Sequence, residues 1–284
     1  MPQLVFTCDV ECHDPQRSPQ WLLGKSGGRL WLEIVAGELE RRNITGAFFV
    51  DFSGCEQWEV PLRQAVEILV RRRQRIELHI HPANSGWCGA KMLSALGYDD
   101  QARLFETAVN NYRRYVAKEP AIFRAGGYGI NDITLRILKD YGLQDSSYYT
   151  GKPQVQVRPD DYERIGVISH PVTVSHFRGF GKYVKHDLNI MTAGILEQQI
   201  LENDVMLFMH SFSFNRFQRR TLLERDNPRP IKRFYKILAL IDAGKTQPVD
   251  LEHFPNTRFI TKISRRAMIA NAIYITLRNH YGLG

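Results

Sequence analysis

Short apolar segments alternate with amphipathic segments along most of this chain, and this alternation restricts the folds that it can adopt. The apolar segments are rich in Val, Ile and Phe and are bounded by turn-forming residues, which is typical of β-strands. The segments between them carry apolar residues at the spacing of a helix face. Repeated strand–helix alternation predicts a parallel sheet covered by helices. Eight strand candidates in 284 residues favour a barrel or near-barrel over an open sheet.

Periodicity and turn residues place the predicted elements along the chain. The predicted strands are Gln3–Val10, Gly46–Phe52, Arg75–His81, Ala121–Arg124, Leu143–Tyr149, Arg164–Ser169, Val205–His210 and Thr257–Thr261. The predicted helices are Leu30–Arg42, Val60–Arg73, Asp99–Val116, Asn131–Tyr141, Ala193–Asn203 and Pro230–Ala243. Asn131 and Asp132 are suited to cap the fourth helix, and Gly142 is suited to end it. Pro153–Asp161 and Phe212–Pro230 are predicted to be loops that shape a cleft.

The predicted barrel occupies residues 1–262 as a single domain. The remaining residues, 263–284, are basic and amphipathic, with Ile269, Ile273 and Leu277 on one face of a helix. We expect this C-terminal helix to pack on the barrel, with a helix that binds a membrane surface or a partner as the alternative.

The chain carries an excess of positive charge. Its 38 basic and 30 acidic residues give a net charge of +8, which suits nucleic acid, an anionic membrane surface or an acidic small substrate. The basic residues are partly clustered, and solvated helix faces are the simplest explanation of such clusters. The chain contains no recognised nucleic-acid-binding motif, so we expect no nucleic acid partner.

Cysteine usage and hydropathy indicate where the protein works. Four cysteines at irregular spacing do not suggest a disulfide framework, which fits a reducing compartment. The chain opens directly on a strand without the pattern of a signal peptide, and no apolar run approaches the roughly 20 residues of a membrane helix. We therefore expect a cytoplasmic protein without a transmembrane segment, with peripheral membrane association as an open alternative.

Two pairs of polar residues stand at the ends of predicted strands. Asp9 and Glu11 close the first strand, and His79 and His81 close the third, just before Pro82. Residues at i and i+2 of a strand point to the same face, so each pair aims two polar groups at one side of the sheet. Two carboxylates and two imidazoles suit a divalent metal with an adjacent acid or base. Alternatively, the acids bond to loop amides and the histidines are satisfied core residues.

Further polar residues follow other predicted strands. Arg124 ends the fourth strand, from which it could pair with Asp9 and keep it ionised; the alternative is a surface arginine beside a flexible turn. His210 ends an apolar strand and could act as a general acid. The carboxyl ends of parallel strands form the edge where barrel active sites lie, so one shared cleft explains these positions best.

Four other residues are candidates for substrate binding. Gly127 and Tyr128 lie in the glycine-rich turn after Arg124, where the backbone could approach a ligand closely. His170 and His176 flank Pro171 after another predicted strand and could contribute to the same cleft.

The order of these motifs resembles that of the polysaccharide deacetylases, the NodB-homology group of carbohydrate esterases. The matching segments are Thr7–Glu11, Thr45–Val50, Ile76–Pro82, Phe123–Gly126 and Leu207–His210. The chain is most similar to divergent members with an Asp-x-acid opening and a His-x-His-Pro motif. The resemblance implies a distorted (β/α) barrel with seven or eight strands and the metal-dependent removal of an N- or O-acyl group from a sugar.

The resemblance also implies catalytic roles for three residues. It makes Asp9 the base that takes a proton from water, and Arg124 the residue that orients this base. It makes His210 the acid that protonates the leaving group.

The metal ligands implied by the resemblance are less direct matches. Glu11, His79 and His81 are the nearest matches, with Zn²⁺ as the first expectation and Co²⁺, Ni²⁺ or Mn²⁺ as alternatives. The usual family pattern has two adjacent aspartates and two histidines four residues apart, whereas both pairs here are two apart. Whether Asp9 or Glu11 ligates the metal therefore stays open.

Together these observations predict a metal-dependent hydrolase that removes an acetyl or formyl group from a sugar nitrogen in a surface polysaccharide or its cytoplasmic precursor. A nucleotide- or lipid-linked acylamino sugar would suit the basic charge, with Arg158, Arg178 and Arg216–Arg220 as candidate contacts. One alternative is an amidohydrolase-type enzyme acting on a non-sugar amide, although that class carries its His-x-His on the first barrel strand. The other alternative is a catalytically inactive barrel that binds glycans.

Overall fold

The structure is a computed structural model that describes residues 1–12, 19–54, 58–90, 92–177, 182–218, 221–255 and 260–262. The strands in these residues are β1 (Gln3–Val10), β2 (Lys25–Ser26), β3 (Arg29–Leu30), β4 (Ala47–Asp51), β5 (Arg75–Ile80), β6 (Ile122–Ala125), β7 (Gln144–Asp145), β8 (Val174–Phe177), β9 (Lys182–Lys185), β10 (Val205–His210), β11 (Asn215–Gln218), β12 (Thr221–Asp226), β13 (Gln247–Pro248) and β14 (Ile260–Lys262). The α-helices are α1 (Trp31–Glu40), α2 (Glu59–Arg71), α3 (Tyr98–Val116), α4 (Asp132–Asp140), α5 (Pro159–Ile165), α6 (Ala193–Glu202) and α7 (Pro228–Asp242).

A parallel sheet forms the centre of the fold. Its strands lie in the order β10-β1-β4-β5-β6-β7, and β13 pairs with the start of β1. Each of these pairings is parallel, as expected for strands joined through helices. This half-barrel with surrounding helices confirms the predicted distorted (β/α)7–8 barrel.

Alternation along the strands separates two buried layers. On β1, Phe6 and Cys8 pack in the large core between the sheet and the helices, whereas Val5 packs in a smaller core inside the barrel. The same alternation holds on β10, where Leu207 faces the helices and Phe208 faces the interior. Because side chains alternate with a period of two, the polar residues at the strand ends share the interior face. The alternation thus directs Asp9, His79, Arg124 and His210 into the barrel.

One predicted strand is wrong over part of its length. Arg164 and Ile165 were expected in a strand but belong to α5, and Ser169 makes only an isolated bridge to Asp145. The helix forms here because the Asp161 side chain accepts from the backbone N–H of Arg158, at 2.8 Å, and caps the first turn. Gly166, at φ 85°, then ends the helix.

Tertiary pairing changes two other predictions. Phe212–Pro230, expected to be a loop, contains the antiparallel hairpin of β11 and β12. The strand expected near residue 260 does not join the barrel, because β14 pairs with β8 in a separate three-stranded sheet. Neither pairing is visible in the local pattern, since each depends on a partner segment elsewhere in the chain.

The predicted ends of the fourth helix are confirmed. The Asn131 side chain accepts from the backbone N–H of Thr134 at 3.0 Å, and Gly142, at φ 68°, donates its N–H to the carbonyl of Lys139. The predicted C-terminal helix, residues 263–284, lies outside the described residues, so the division of the chain at residue 262 stays a prediction. None of the described helices is both long and apolar enough to span a bilayer.

Candidate active site

A fully buried arginine holds the first carboxylate of the site. Arg124 donates from Nη1 to Asp9 Oδ1 at 2.8 Å and to the Thr7 hydroxyl at 3.2 Å. Its other nitrogens donate to the backbone and side-chain oxygens of Ser146, at 3.2 and 3.0 Å. The guanidinium reaches Asp9 across the Phe49 ring, whose centre lies 3.9 Å away. These contacts satisfy the buried charge and fix the orientation of the Asp9 carboxylate.

The second carboxylate of the site faces three histidines instead. Glu11 Oε2 lies 3.0 Å from His79 Nε2 and 3.6 Å from His81 Nε2, and Glu11 Oε1 lies 3.4 Å from His210 Nε2. Glu11 and His79 are buried, while His81 and His210 are partly exposed. The two acids at the end of β1 therefore have different surroundings: Asp9 faces a guanidinium, and Glu11 faces imidazoles.

The proton shared between Glu11 and His79 lies on His79. Burial alone would raise the pKa of Glu11, but the hydrogen bond from His79 and the charges of His81 and His210 outweigh it and hold that pKa well below its usual range. Burial likewise lowers the pKa of His79, but the bond to Glu11 and the charge of Asp9 outweigh it and raise the pKa to about 9. At neutral pH the metal-free site is thus a buried ion pair between carboxylate and imidazolium.

The pKa of His210 shifts in the opposite direction to that of His79. Although part of its ring is exposed, the apolar surroundings of His210 desolvate it and lower its pKa, and the nearby charge of Glu11 only partly opposes this. Its ring lies 4.8 Å from the Phe212 ring in a stacked arrangement and meets the edge of Phe208 at the same centroid distance. His210 therefore gives up a proton more readily than an exposed histidine.

Three polar residues that the sequence analysis did not select support the loop of His81. The buried Asp51 accepts from the backbone N–H of Ser53 at 2.9 Å and from the Asn84 side chain at 2.8 Å. The Ser53 hydroxyl donates to the His81 carbonyl at 3.0 Å. Asp51 could have been noticed as an acid closing the strand β4, which is the signal that identified Asp9.

The turn after Arg124 adopts an unfavourable backbone conformation. Gly126–Tyr128 forms one 3-10 turn in which Gly127 and Tyr128 have φ values of 61° and 63°. The left-handed conformation costs a residue other than glycine about 1–2 kcal/mol. Burial, together with the charge of Asp9, raises the pKa of Tyr128 well above its usual value, so its hydroxyl keeps its proton.

A buried lysine beside this turn was also missed. Lys185 donates from Nζ to the Tyr128 hydroxyl at 3.2 Å, lies 3.3 Å from Asp187 Oδ2, and sits 3.0 Å from the centre of the Phe208 ring. Burial lowers the pKa of Lys185 to about 8 despite the charge of Asp187. The spacing of Lys185 and Asp187, two residues apart after a strand, is the same signal that revealed the other pairs.

The structure does not bring all predicted binding residues together. His170 lies 2.6 Å from the Gln144 side chain, and burial lowers its pKa. The charges that act on it are those of Glu252 and Arg75, which lie at the amino end of the strands. The prediction that His170 binds substrate is therefore corrected, because the chain crosses to the opposite end of the barrel before this residue. His176 stacks on Tyr183 at 4.5 Å, and its role stays a prediction, as does that of Gly127.

Glu11, His79 and His81 together could hold a metal ion. One ligand atom from each lies within 4.8 Å of the others. A carboxylate and two imidazoles are a usual donor set for catalytic zinc and related divalent ions, and three protein ligands leave a position for water or substrate. Nε2 of His79 and Nε2 of His81 both face Glu11 Oε2, at 3.0 and 3.6 Å. The donor set therefore fits a divalent cation.

Comparison with known proteins gives a match at the level of structure. No protein-family model and no curated protein matches the chain. A candidate polysaccharide deacetylase from Mycobacterium smegmatis superposes with a TM-score of 0.58 at 14% identity, over 89% of each chain. A family 4 carbohydrate esterase from Streptomyces lividans, in complex with acetate, superposes with a TM-score of 0.50 at 10% identity, over 90% of this chain and 97% of that one.

A pseudoenzyme has a similar structure. It is a mutant, with restored enzymatic activity, of a carbohydrate esterase family 4 pseudoenzyme from Bacillus anthracis. It superposes with a TM-score of 0.51 at 10% identity, over 89% of this chain, which spans 66% of its length. The chain therefore has the fold of the NodB-type polysaccharide deacetylases of carbohydrate esterase family 4.

Proposed function

We propose that this protein is a metal-dependent hydrolase that removes an acetyl or formyl group from the nitrogen of a sugar. The observation that supports this proposal is that Asp9 and Glu11 contact different groups. Asp9 is held by Arg124 as a carboxylate free of the histidines, while Glu11 gathers His79 and His81 into a possible ligand set. A base beside a metal site is the arrangement that metal-assisted hydrolysis requires.

Each polar group of the site has a task in this reaction. A divalent cation at Glu11, His79 and His81 would polarise the acyl carbonyl and acidify a water molecule. Asp9 accepts the proton of the attacking water, and Arg124 orients its carboxylate. His210 donates a proton to the departing nitrogen as the carbon–nitrogen bond breaks.

The proposed substrate is an acylamino sugar of a surface polysaccharide or of its nucleotide- or lipid-linked precursor. The net charge of +8 supports an anionic linkage such as a pyrophosphate. Of the arginines predicted to contact it, Arg158 and Arg216 are exposed, and the others lie outside the described residues. The cytoplasmic location of the reaction stays a prediction.

Acyl release tests the proposed function directly. The chelator-treated protein is incubated with N-acetylglucosamine oligomers, with a nucleotide-linked N-acetylhexosamine and with their N-formyl counterparts, and free acetate or formate is measured. We expect release only after zinc or cobalt is restored. Saturable binding of these sugars to metal-loaded protein, without any acyl release, would instead identify an inactive glycan-binding barrel.

The leaving group should reveal the role of His210. We expect His210→Gln to lower kcat on an N-acetyl sugar about 10²-fold or more, because the departing amine requires a proton. Hydrolysis of 4-nitrophenyl acetate should change by less than about threefold, because its phenolate departs without one. Equal losses on both substrates would show that His210 does not act as the acid.

Metal affinity should depend on pH through His79. The pKa of His79 is raised to about 9 in the metal-free site, so below this pH a proton must leave before the ring can bind a metal. We expect the zinc Kd to fall about tenfold per unit between pH 6 and 8 and to level off above about 9. Competition with a chromophoric chelator measures this slope, and a pH-independent Kd would contradict it.

A further inference from the structure

The ring of His81 is oriented by packing rather than by a hydrogen bond. Its Nδ1 is buried without a hydrogen-bond partner in the described part of the chain, whereas histidine ligands usually donate this second ring N–H to an acceptor. Gly126 contacts the ring instead: a Cβ added to Gly126 would lie 2.6–2.9 Å from three ring atoms of His81. The position of the turn that contains Gly126 therefore determines where His81 can sit.

This turn requires an external anchor. Tyr128, two residues after Gly126, has a φ of 63°, which a residue with a side chain adopts only when its surroundings enforce it. The anchor is the tyrosine side chain. Its ring meets the edge of Tyr149 at a centroid distance of 5.2 Å and lies 6.1 Å from the Phe208 ring, and its hydroxyl accepts from Lys185 at 3.2 Å.

Lys185 is itself held in place from two sides. Its ammonium group lies 3.3 Å from Asp187 and rests on the face of Phe208 at 3.0 Å from the ring centre. Phe208 belongs to β10, two residues before His210, so the lysine is fixed to the barrel wall rather than to a loop. A buried charge with these contacts has little freedom to move, and neither has the hydroxyl that it holds.

We propose that Lys185 is a positioning residue for the metal site: through the Tyr128 hydroxyl it fixes the turn Gly126–Tyr128 against the ring of His81. This inference rests on the proposed metal site, and it extends the site to a residue outside the motifs of the family resemblance. Loss of the bond between Lys185 and Tyr128 lets the turn leave its left-handed conformation, which removes the support of His81. Mutation of a residue that hydrogen-bonds to a metal ligand typically weakens metal binding about 10–100-fold, and we expect an indirect support such as Lys185 to act at the lower end of that range.

Two substitutions remove the bond from opposite sides. Tyr128→Phe deletes one hydroxyl, and Lys185→Met keeps the length of the side chain but removes its donor. We expect each variant to raise the zinc Kd about tenfold, measured by competition with a chromophoric chelator, and the double variant to be no weaker than either single one. Tyr162→Phe is the matched control: it deletes another buried tyrosine hydroxyl, one bonded to Asp145, and its zinc Kd should stay within about threefold of wild type.

Amide exchange separates this inference from the proposed function. Hydrogen–deuterium exchange of a peptide that spans residues 125–130 should be at least about tenfold faster in Tyr128→Phe and in Lys185→Met than in wild type. This measurement decides the inference even if the wild-type protein binds no zinc and releases no acyl group. Unchanged exchange and zinc Kd in Tyr128→Phe overturn it, and so do additive losses in the double variant. If Lys185→Met fails to fold, Tyr128→Phe alone decides.

Discussion

Asp9→Asn should lower kcat for acyl release by about 10²–10⁴-fold, the usual contribution of a general base, while zinc affinity changes little. An amide oxygen can still accept from Arg124, but it cannot take the proton of the attacking water. The zinc Kd should change far less than kcat, because Asp9 contacts Arg124, at 2.8 Å, and acts on His79 only through its charge. Initial rates of acetate release and chelator competition measure the two quantities on the same protein samples.

Asp9→Asn should also lower the stability of the fold, so a control variant must separate this effect from the loss of catalysis. Arg124 is fully buried, and removing one partner of a buried ion pair typically costs about 3–5 kcal/mol. Asp145→Asn is the matched variant: it replaces another buried aspartate, at the end of β7, which accepts from the Tyr162 hydroxyl and does not contact the metal site. We expect Asp145→Asn to lower the Tm without a comparable loss of kcat. Full activity in Asp9→Asn would refute the assignment of the base.

Glu11→Gln should weaken zinc binding by at least about 100-fold. Glu11 provides the carboxylate of the ligand set and is the anion that faces His79, His81 and His210. Loss of a residue that hydrogen-bonds to a metal ligand weakens binding about 10–100-fold, and the loss of a ligand itself should exceed that range. Acyl release should fall in parallel and return in part at high zinc concentration, because the base and the acid remain.

The pKa of His79 in the metal-free protein provides a second test of Glu11→Gln. Without the Glu11 charge, burial should dominate and the pKa of His79 should fall from its value of about 9, which an NMR titration of the ring can follow. Glu77→Gln is the control: Glu77 is a buried glutamate on β5 that pairs with Arg75 at the amino end of the strand. Glu77→Gln should leave both the zinc Kd and the pKa of His79 near their wild-type values.

These variants also separate an enzyme from a pseudoenzyme. One of the similar structures is a mutant pseudoenzyme with restored activity, so a shared fold does not by itself establish catalysis. In this chain Asp9, Arg124 and His210 lie beside the proposed ligand set Glu11, His79 and His81. We expect an active enzyme to lose kcat in Asp9→Asn and zinc affinity in Glu11→Gln.

The residues on the inner face of the barrel were predicted correctly for β1 and β10, because strand periodicity depends only on neighbouring residues. Alternation along β1 and β10 places Asp9 and His210 on the same face as the interior residues Val5 and Phe208, and this requires only the period of a strand. The bounds of β1 and β10 agree with the prediction for the same reason. The predicted strand at Arg164 was wrong because capping by Asp161 favours a helix there.

The roles of Asp9 and Glu11 could not be separated from the sequence. Both side chains point to the interior face, so spacing alone gives them equal access to a metal. Their difference arises from Arg124, on β6, which is separated from β1 by two strands and reaches Asp9 over the Phe49 ring. Lateral strand order and register are set by packing between distant segments, and these are not encoded in any local pattern.

The sequence by itself therefore determined which residues face the barrel interior and at which end of the strands they stand, because strand periodicity and turn residues act over a few positions. Only the tertiary structure decided which of them meet. It pairs Asp9 with Arg124, gathers Glu11 with the histidines, and places Lys185 behind Tyr128. It also carries His170 to the opposite end of the barrel. The contact of Asp9 with Arg124 joins residues 115 positions apart, and such contacts exist only once the strands have taken their order in the sheet.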